Sequence, residues 1–150
     1  MTRLLTLVVL SLAMVFTPGL GEARAKRIHV NAEIVQQIFT AEEMTKPKLG
    51  DQLISSVKLR DKHNDEVGTG AGFCTVVSVP PLDTRVQCLL SATFDDEGQI
   101  IFGGVAPLPV PGGAATFAIL GGTDAFRKAR GEVTLTVISD KLQEAVFEIE

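Results

Sequence analysis

At 150 residues the chain has the length of one domain. Its 14 basic and 18 acidic residues give a net charge of −4, which offers nothing for nucleic acid or an anionic membrane surface to read. Trp and Tyr are absent, so any base-stacking platform would fall to Phe alone, and 14 glycines among many short β-like runs argue for an all-β domain.

The N-terminus reads as a secretory signal peptide. Arg3 supplies the positive end, Leu4 to Phe16 is nearly unbroken apolar sequence, and Pro18 and Gly19 break it. Ala23-Arg24-Ala25 has the small-x-small pattern of a cleavage site, which predicts a cut after Ala25 and a mature domain of residues 26–150. A membrane anchor is the competing reading, but the apolar run is short of the roughly 20 residues that a span requires. No cysteine stands near the cut to carry a lipid. Loss of Arg3, Glu22 and Arg24 leaves 12 basic and 17 acidic residues, a net charge of −5.

Eight strands are predicted in the mature chain. The first spans Ile28 to Phe39, with Val30, Ala32 and Ile34 on one face and His29, Asn31 and Glu33 on the other; period two is the mark of a half-buried strand. Residues 41–50 form a polar loop. The second strand opens at Gly50-Asp51-Gln52 and runs to about Arg60. Leu53, Ser55, Val57 and Leu59 share one of its faces, and Ile54, Ser56, Lys58 and Arg60 the other. A polar turn over residues 61–66 leads to the third strand, Val67 to Val79. Gly68, Gly70 and Gly72 alternate there; without a following Lys-Ser/Thr or helical pattern they are no phosphate loop. Glycine on one face of a strand permits sharp curvature or close backbone approach.

The fourth strand spans Thr84 to Phe94. Asp95-Asp96-Glu97-Gly98 reads as a solvated hairpin turn, since it lacks the alternating ligand spacing and closing Glu of a calcium loop. The fifth strand is Gln99 to Val105, followed by a loop with three prolines and two glycines over residues 106–113. The sixth is Ala114 to Leu120, the seventh Glu132 to Ser139 and the eighth Glu144 to Glu150, with a turn over residues 140–143.

The two cysteines, Cys74 and Cys88, both fall in the mature chain, and export implies an oxidising compartment. A hairpin centred on Pro81 sets Ser78 against Thr84, Val76 against Val86 and Cys74 against Cys88. Directly opposed antiparallel residues lie about 4.5–5.5 Å apart at Cα, within disulfide reach. A Cys74–Cys88 disulfide is therefore predicted.

The connection between the sixth and seventh strands is Gly121-Gly122-Thr123-Asp124-Ala125-Phe126-Arg127-Lys128-Ala129-Arg130-Gly131. Ala125, Phe126 and Ala129 are its apolar anchors. It resembles the G-G-T-G-x-F-x-x-A-R-G signature of the dirigent and allene oxide cyclase barrel proteins, through Gly121, Gly122, Thr123, Phe126, Ala129, Arg130 and Gly131. Asp124 departs from the usual glycine, and Asp tolerates left-handed angles better than most residues. The Gly-rich third strand also resembles that family, and the Gly50-Asp51-Gln52 segment and cysteine pair are similar to bacterial relatives. The resemblance covers most of the mature chain from about Gly50. It implies an eight-stranded antiparallel up-and-down β-barrel whose signature is a structural corner, so no catalytic role passes to Arg127 or Arg130. Such a barrel has no exposed edges and can hold one small ligand.

No nucleophile constellation, cofactor motif or metal-ligating pattern is present. His29 and His63 cannot be tied by spacing to a Ser or Cys. The resemblance implies a cofactor-free reaction, in which the barrel folds a reactive apolar substrate into near-attack shape and excludes water. Candidate catalytic residues are Asn31 and Glu33, where burial would favour a protonated Glu33, with Arg85 near a hairpin end. The commoner outcome for a polar strand face is solvent, and a rim position serves Arg85 equally. Phe73, Leu89, Phe102 and Phe117 are the candidate ligand contacts. Apolar residues on both faces around Ile100–Phe102 and Phe117–Leu120 predict subunit contact, and the resemblance implies a homotrimer.

Three functions remain open. One is a secreted barrel that binds a small, largely apolar molecule and directs its cyclisation, isomerisation or stereoselective coupling. The second is a non-catalytic carrier of such a molecule. The third is an exported protein-contact barrel. The signal peptide counts slightly against biosynthetic cyclisation, because most reactive intermediates arise inside cells.

Overall fold

The computed structural model describes residues 25–43 and 45–150; the predicted signal peptide, all but Ala25, lies outside the described residues. Eight strands follow one another: β1 (Lys26–Phe39), β2 (Gln52–Arg60), β3 (Glu66–Ser78), β4 (Arg85–Phe94), β5 (Gly98–Pro107), β6 (Ala114–Gly122), β7 (Gly131–Ser139) and β8 (Leu142–Ile149). A single 3₁₀ turn, Asp124–Phe126, interrupts them. Each strand pairs antiparallel with the next, and β8 pairs with β1, closing the barrel. Closure satisfies both edges of every strand, which leaves no template for aggregation.

Period two decides which side chains enter. Val30 and Ala32 of β1, Leu59 of β2, Val76 of β3 and Val86, Ala92 and Phe94 of β4 are buried, as are Ile100 and Phe102 of β5, Phe117 and Ile119 of β6, Val133 of β7 and Ala145, Phe147 and Ile149 of β8. No polar or charged residue among those described is fully buried. The prediction for the β3–β4 hairpin holds at Val76–Val86 and Cys74–Cys88. It fails one step later. A bulge at Val77 sets Ser78 against Arg85 rather than Thr84, because one extra residue shifts the ladder by one.

The two ends of the barrel differ. Phenylalanines fill one of them. Phe147 contacts Phe94 and Phe102 edge-on at 5.5 and 5.6 Å between ring centroids, and Phe94 meets Phe126 at 5.6 Å. Each buried ring stabilises by about 1.5–3 kcal/mol through area alone, and such pairs add about 0.5–1.5 kcal/mol.

The glycine-rich connection closes this base, which explains its composition. Thr123 N donates to Gln99 O at 2.9 Å, Gln99 N donates back to Thr123 Oγ1 at 3.0 Å, and Ala125 N reaches Glu97 O at 3.1 Å. The turn carries Phe126 and Ala129 inward, both buried, while Arg127 and Lys128 stay in solvent. Asp124 takes φ 49°, the left-handed angle its side chain tolerates. Gly131 has φ 119°, and a Cβ there would overlap the Glu148 carbonyl oxygen.

The other end is open. Its connections are pinned back onto the strands: Gly50 N donates to Val76 O and Val76 N to Asp51 O, at 2.9 and 2.8 Å, while Gly112 N donates to Val137 O at 2.8 Å. The mouth therefore has a fixed outline.

Candidate functional site

Behind the mouth lies a cavity of about 210 Å³, and deeper in the lumen a second void of about 50 Å³. Ser55, Leu90, Leu135 and Gln143 border both, so the two adjoin, and the inner one reaches the phenylalanine base at Phe102 and Phe147. Gly70 borders the inner void, and a Cβ there would crowd Val57 at 2.8 Å. Of the predicted glycine stripe, Gly70 thus leaves room in the lumen, while a Cβ at Gly68 or Gly72 would strike the backbone of β4.

Most of the lining is apolar. Cys74 and Cys88 form the predicted disulfide, with Cα atoms 4.0 Å apart. Both residues are buried and both border the cavity, beside Val86, Ala106 and Phe117. Three neutral polar side chains complete the lining: Gln37, Ser55 and Gln143. No ionisable side chain borders either space among the described residues, nor does any group of three or more His, Cys, Asp or Glu stand ready for a metal there.

The position of Gln37 has a local cause. Ile34 pairs with Val57, but Gln36 pairs with Ser56, so Val35 is an extra residue in β1. The bulge reverses the alternation, and Gln37 comes into register with the inward Ser55. Gln143 arrives from the other side of β1, paired with Ala32 and with Val137 of β7. The three polar groups thus lie on three neighbouring strands, β8, β1 and β2.

Several predicted site residues lie elsewhere. Asn31 and Glu33 belong to the outer face of β1, opposite in phase to the buried Val30 and Ala32. Glu33 accepts a 2.8 Å hydrogen bond from Arg60 Nε, and its side chain is 50% exposed. The burial that a catalytic acid there would require is absent. The Glu33 carboxylate raises the pKa of Arg60 above its ordinary value through that bond, and Lys58 lowers that of Glu66 through a 2.9 Å bond. These ion pairs decorate the outside of β1–β3, where solvent leaves them little energetic weight. Arg85 stands half-buried at the mouth end of β4, out of phase with the inward Val86, Cys88 and Leu90, so it occupies the rim.

Of the four predicted ligand contacts, Phe102 and Phe117 do point inward, 6.3 Å apart between ring centroids. Phe117 borders the outer cavity and Phe102 the inner void. Leu89 is the correction, since it borders neither space, and Phe73 lies at the edge of the outer cavity. They pair with each other in the outward register, one step from the inward cysteines, and each is 44% exposed. Phe73 still borders the cavity wall, between the inward Gly72 and Cys74. Sequence reasoning missed Gln37 and Gln143 altogether. Ser55 it placed on the apolar face of its strand, which was signal enough.

Comparison with known proteins agrees with this architecture. The family described as Allene oxide cyclase barrel like domain matches residues 27–148. Among solved structures, pyocyanin demethylase is similar with 22% identity and a TM-score of 0.74, over 83% of this chain and 100% of that one. AbnU, an exo-specific intermolecular Diels-Alderase, is similar with 17% identity and a TM-score of 0.67, over 83% and 98% of the two chains. The pterocarpan synthase dirigent protein PsPTS1 follows with 19% identity and a TM-score of 0.61, over 85% and 94%. At these identities the likeness is one of fold. No curated protein matches the chain.

Proposed function

The chain belongs to the allene oxide cyclase barrel-like family, and on that footing we propose that its lumen binds one small, largely apolar molecule and directs a cofactor-free cyclisation, isomerisation or stereoselective coupling. One observation carries this reading: a lumen with an open mouth, adjoining cavities behind it and phenylalanine at its base, lined without any ionisable side chain among the described residues. Confinement of that kind favours a near-attack shape and keeps out water, and asks for no proton transfer by the protein. That a Diels-Alderase and a pterocarpan synthase dirigent protein share the fold supports the choice of reaction class.

The same neutrality favours a second reading, a carrier that binds without turnover. Incubating the pure protein with extract of its own producer and resolving products by chiral chromatography separates the two. New or stereochemically enriched product supports catalysis. A recovered, unchanged ligand supports the carrier, and neither outcome leaves the protein-contact role.

Export belongs to the same proposal. The Leu4–Phe16 run and Ala23-Arg24-Ala25 support a cleaved leader, and a disulfide in the barrel wall suits an oxidising compartment. N-terminal sequencing of protein from the medium tests it: Lys26 is the predicted first residue, and Met1 on cytosolic protein would refute it.

Self-association is proposed from the outer face. Ile38, Ile54, Phe73 and Leu89 pair successively across β1 to β4 in the outward register. They are 63%, 44%, 44% and 44% exposed, one apolar band across four strands. A row of this kind on the outside of the barrel is what a second copy of the chain covers, in a homo-oligomer such as the trimer implied by the family resemblance.

A further inference from the structure

The lumen has two unlike walls. In an eight-stranded ring, β8, β1 and β2 stand opposite β4, β5 and β6. Gln143, Gln37 and Ser55 come from the first set; Cys88, Ala106 and Phe117 come from the second. A ligand in the outer cavity therefore meets amide and hydroxyl groups, with Leu53 beside them, on one side, and sulfur, methyl and an aromatic ring with no polar side chain on the other. Both amides can donate and accept, as can the hydroxyl. Sulfur and aromatic rings attract one another at about 5 Å, often at the ring edge, so the disulfide and Phe117 favour an aromatic body.

Size and charge narrow the choice further. An apolar cavity of about 150 Å³ takes up benzene, and this one is about 210 Å³ with a further void beneath it. A carboxylate entering the cavity would lose its hydration and find no Lys, Arg or His among the described lining residues.

Taking the lumen as the ligand site proposed above, we infer that it selects a neutral aromatic molecule of one or two rings with a hydroxyl or carbonyl on one edge. Gln37, Ser55 and Gln143 hold that edge and set which face of the ring system turns toward Cys74–Cys88 and Phe117. The corresponding carboxylate is rejected. Gln37 and Gln143 are specificity-determining residues in this account, because they choose among ligands of equal shape.

Calorimetric titration with three probes of nearly equal shape tests this: naphthalene, 2-naphthol and 2-naphthoate. The expected order places 2-naphthol about tenfold tighter than naphthalene, the size of one net hydrogen bond, with 2-naphthoate weakest. In Gln37→Leu/Gln143→Leu the advantage of 2-naphthol disappears while naphthalene binds at least as tightly as to the wild type, which also shows that the lumen is intact. If that variant does not fold, Ser55→Ala serves, and shrinks the same advantage. Equal binding of naphthoate and naphthol, or a preference that survives these substitutions, overturns the inference while the lumen remains a ligand site. No binding of any probe overturns both.

Discussion

Cys74 and Cys88 face each other across β3 and β4 with both residues turned into the lumen, 7% and 2% exposed. The disulfide is therefore part of the cavity wall. It also closes a short loop, 14 residues apart in sequence. The chain-entropy model gives about 3 kcal/mol for a loop of this length, and two prolines already restrict it, so reduction is predicted to cost about 1–2 kcal/mol. The melting temperature should fall by several degrees with the barrel still folded. A non-reduced tryptic digest should contain the Cys74–Cys88 linked peptides, and two free thiols in freshly exported protein would contradict the register of β3 and β4.

The corner before β7 makes a sharper stability prediction. Gly131→Ala places a Cβ on the Glu148 carbonyl and holds a non-glycine residue at φ 119°. A loss of about 3 kcal/mol or more is expected by urea denaturation. Gly112→Ala, with φ 81° but open space around it, should cost only about 1–2 kcal/mol. Equal costs at the two sites would show that the close packing of the corner carries no weight.

Much of this architecture is legible in the sequence. Gly, Pro and Asp-rich turns separate runs of period two, and all eight strands fall within a few residues of their predicted bounds. The glycine-rich connection announced the corner. In β4 the alternation does choose: Val86, Cys88, Leu90, Ala92 and Phe94 share the apolar face, and Leu89 stands among Arg85, Gln87, Ser91 and Thr93 on the other. The habit of cysteines to be buried chooses the same face. The bulge at Val35 is a harder case, since nothing in Ile34-Val35-Gln36-Gln37 marks the change of phase that turns Gln37, still exposed, toward the edge of the outer cavity. Gln143 was assigned to a turn, while β8 in fact begins at Leu142.

The apolar band over β1–β4 predicts association. Light scattering of the mature chain should report an oligomer, and Phe73→Glu, at the centre of the band, should shift it to monomer without unfolding it. A wild-type chain that is monomeric at micromolar concentration would contradict the proposal.

Ligand affinity should respond little to pH. No ionisable side chain borders the cavity among the described residues. Binding of 2-naphthol should stay level between about pH 5 and 8, across the range where His titrates. A steep change there would place an ionising group against the ligand.

The central claim, that the lumen is the ligand site, is tested most directly at Ala106. This residue is 3% exposed and borders the outer cavity on β5, opposite Gln37 of β1. Ala106→Phe fills the cavity with a ring and leaves the mouth loops and the outer face untouched. Titration of 2-naphthol into wild type and Ala106→Phe should show binding to the first and at least about a tenfold loss in the second, with both proteins folded. Undiminished binding to Ala106→Phe would place the ligand elsewhere on the barrel and contradict the account.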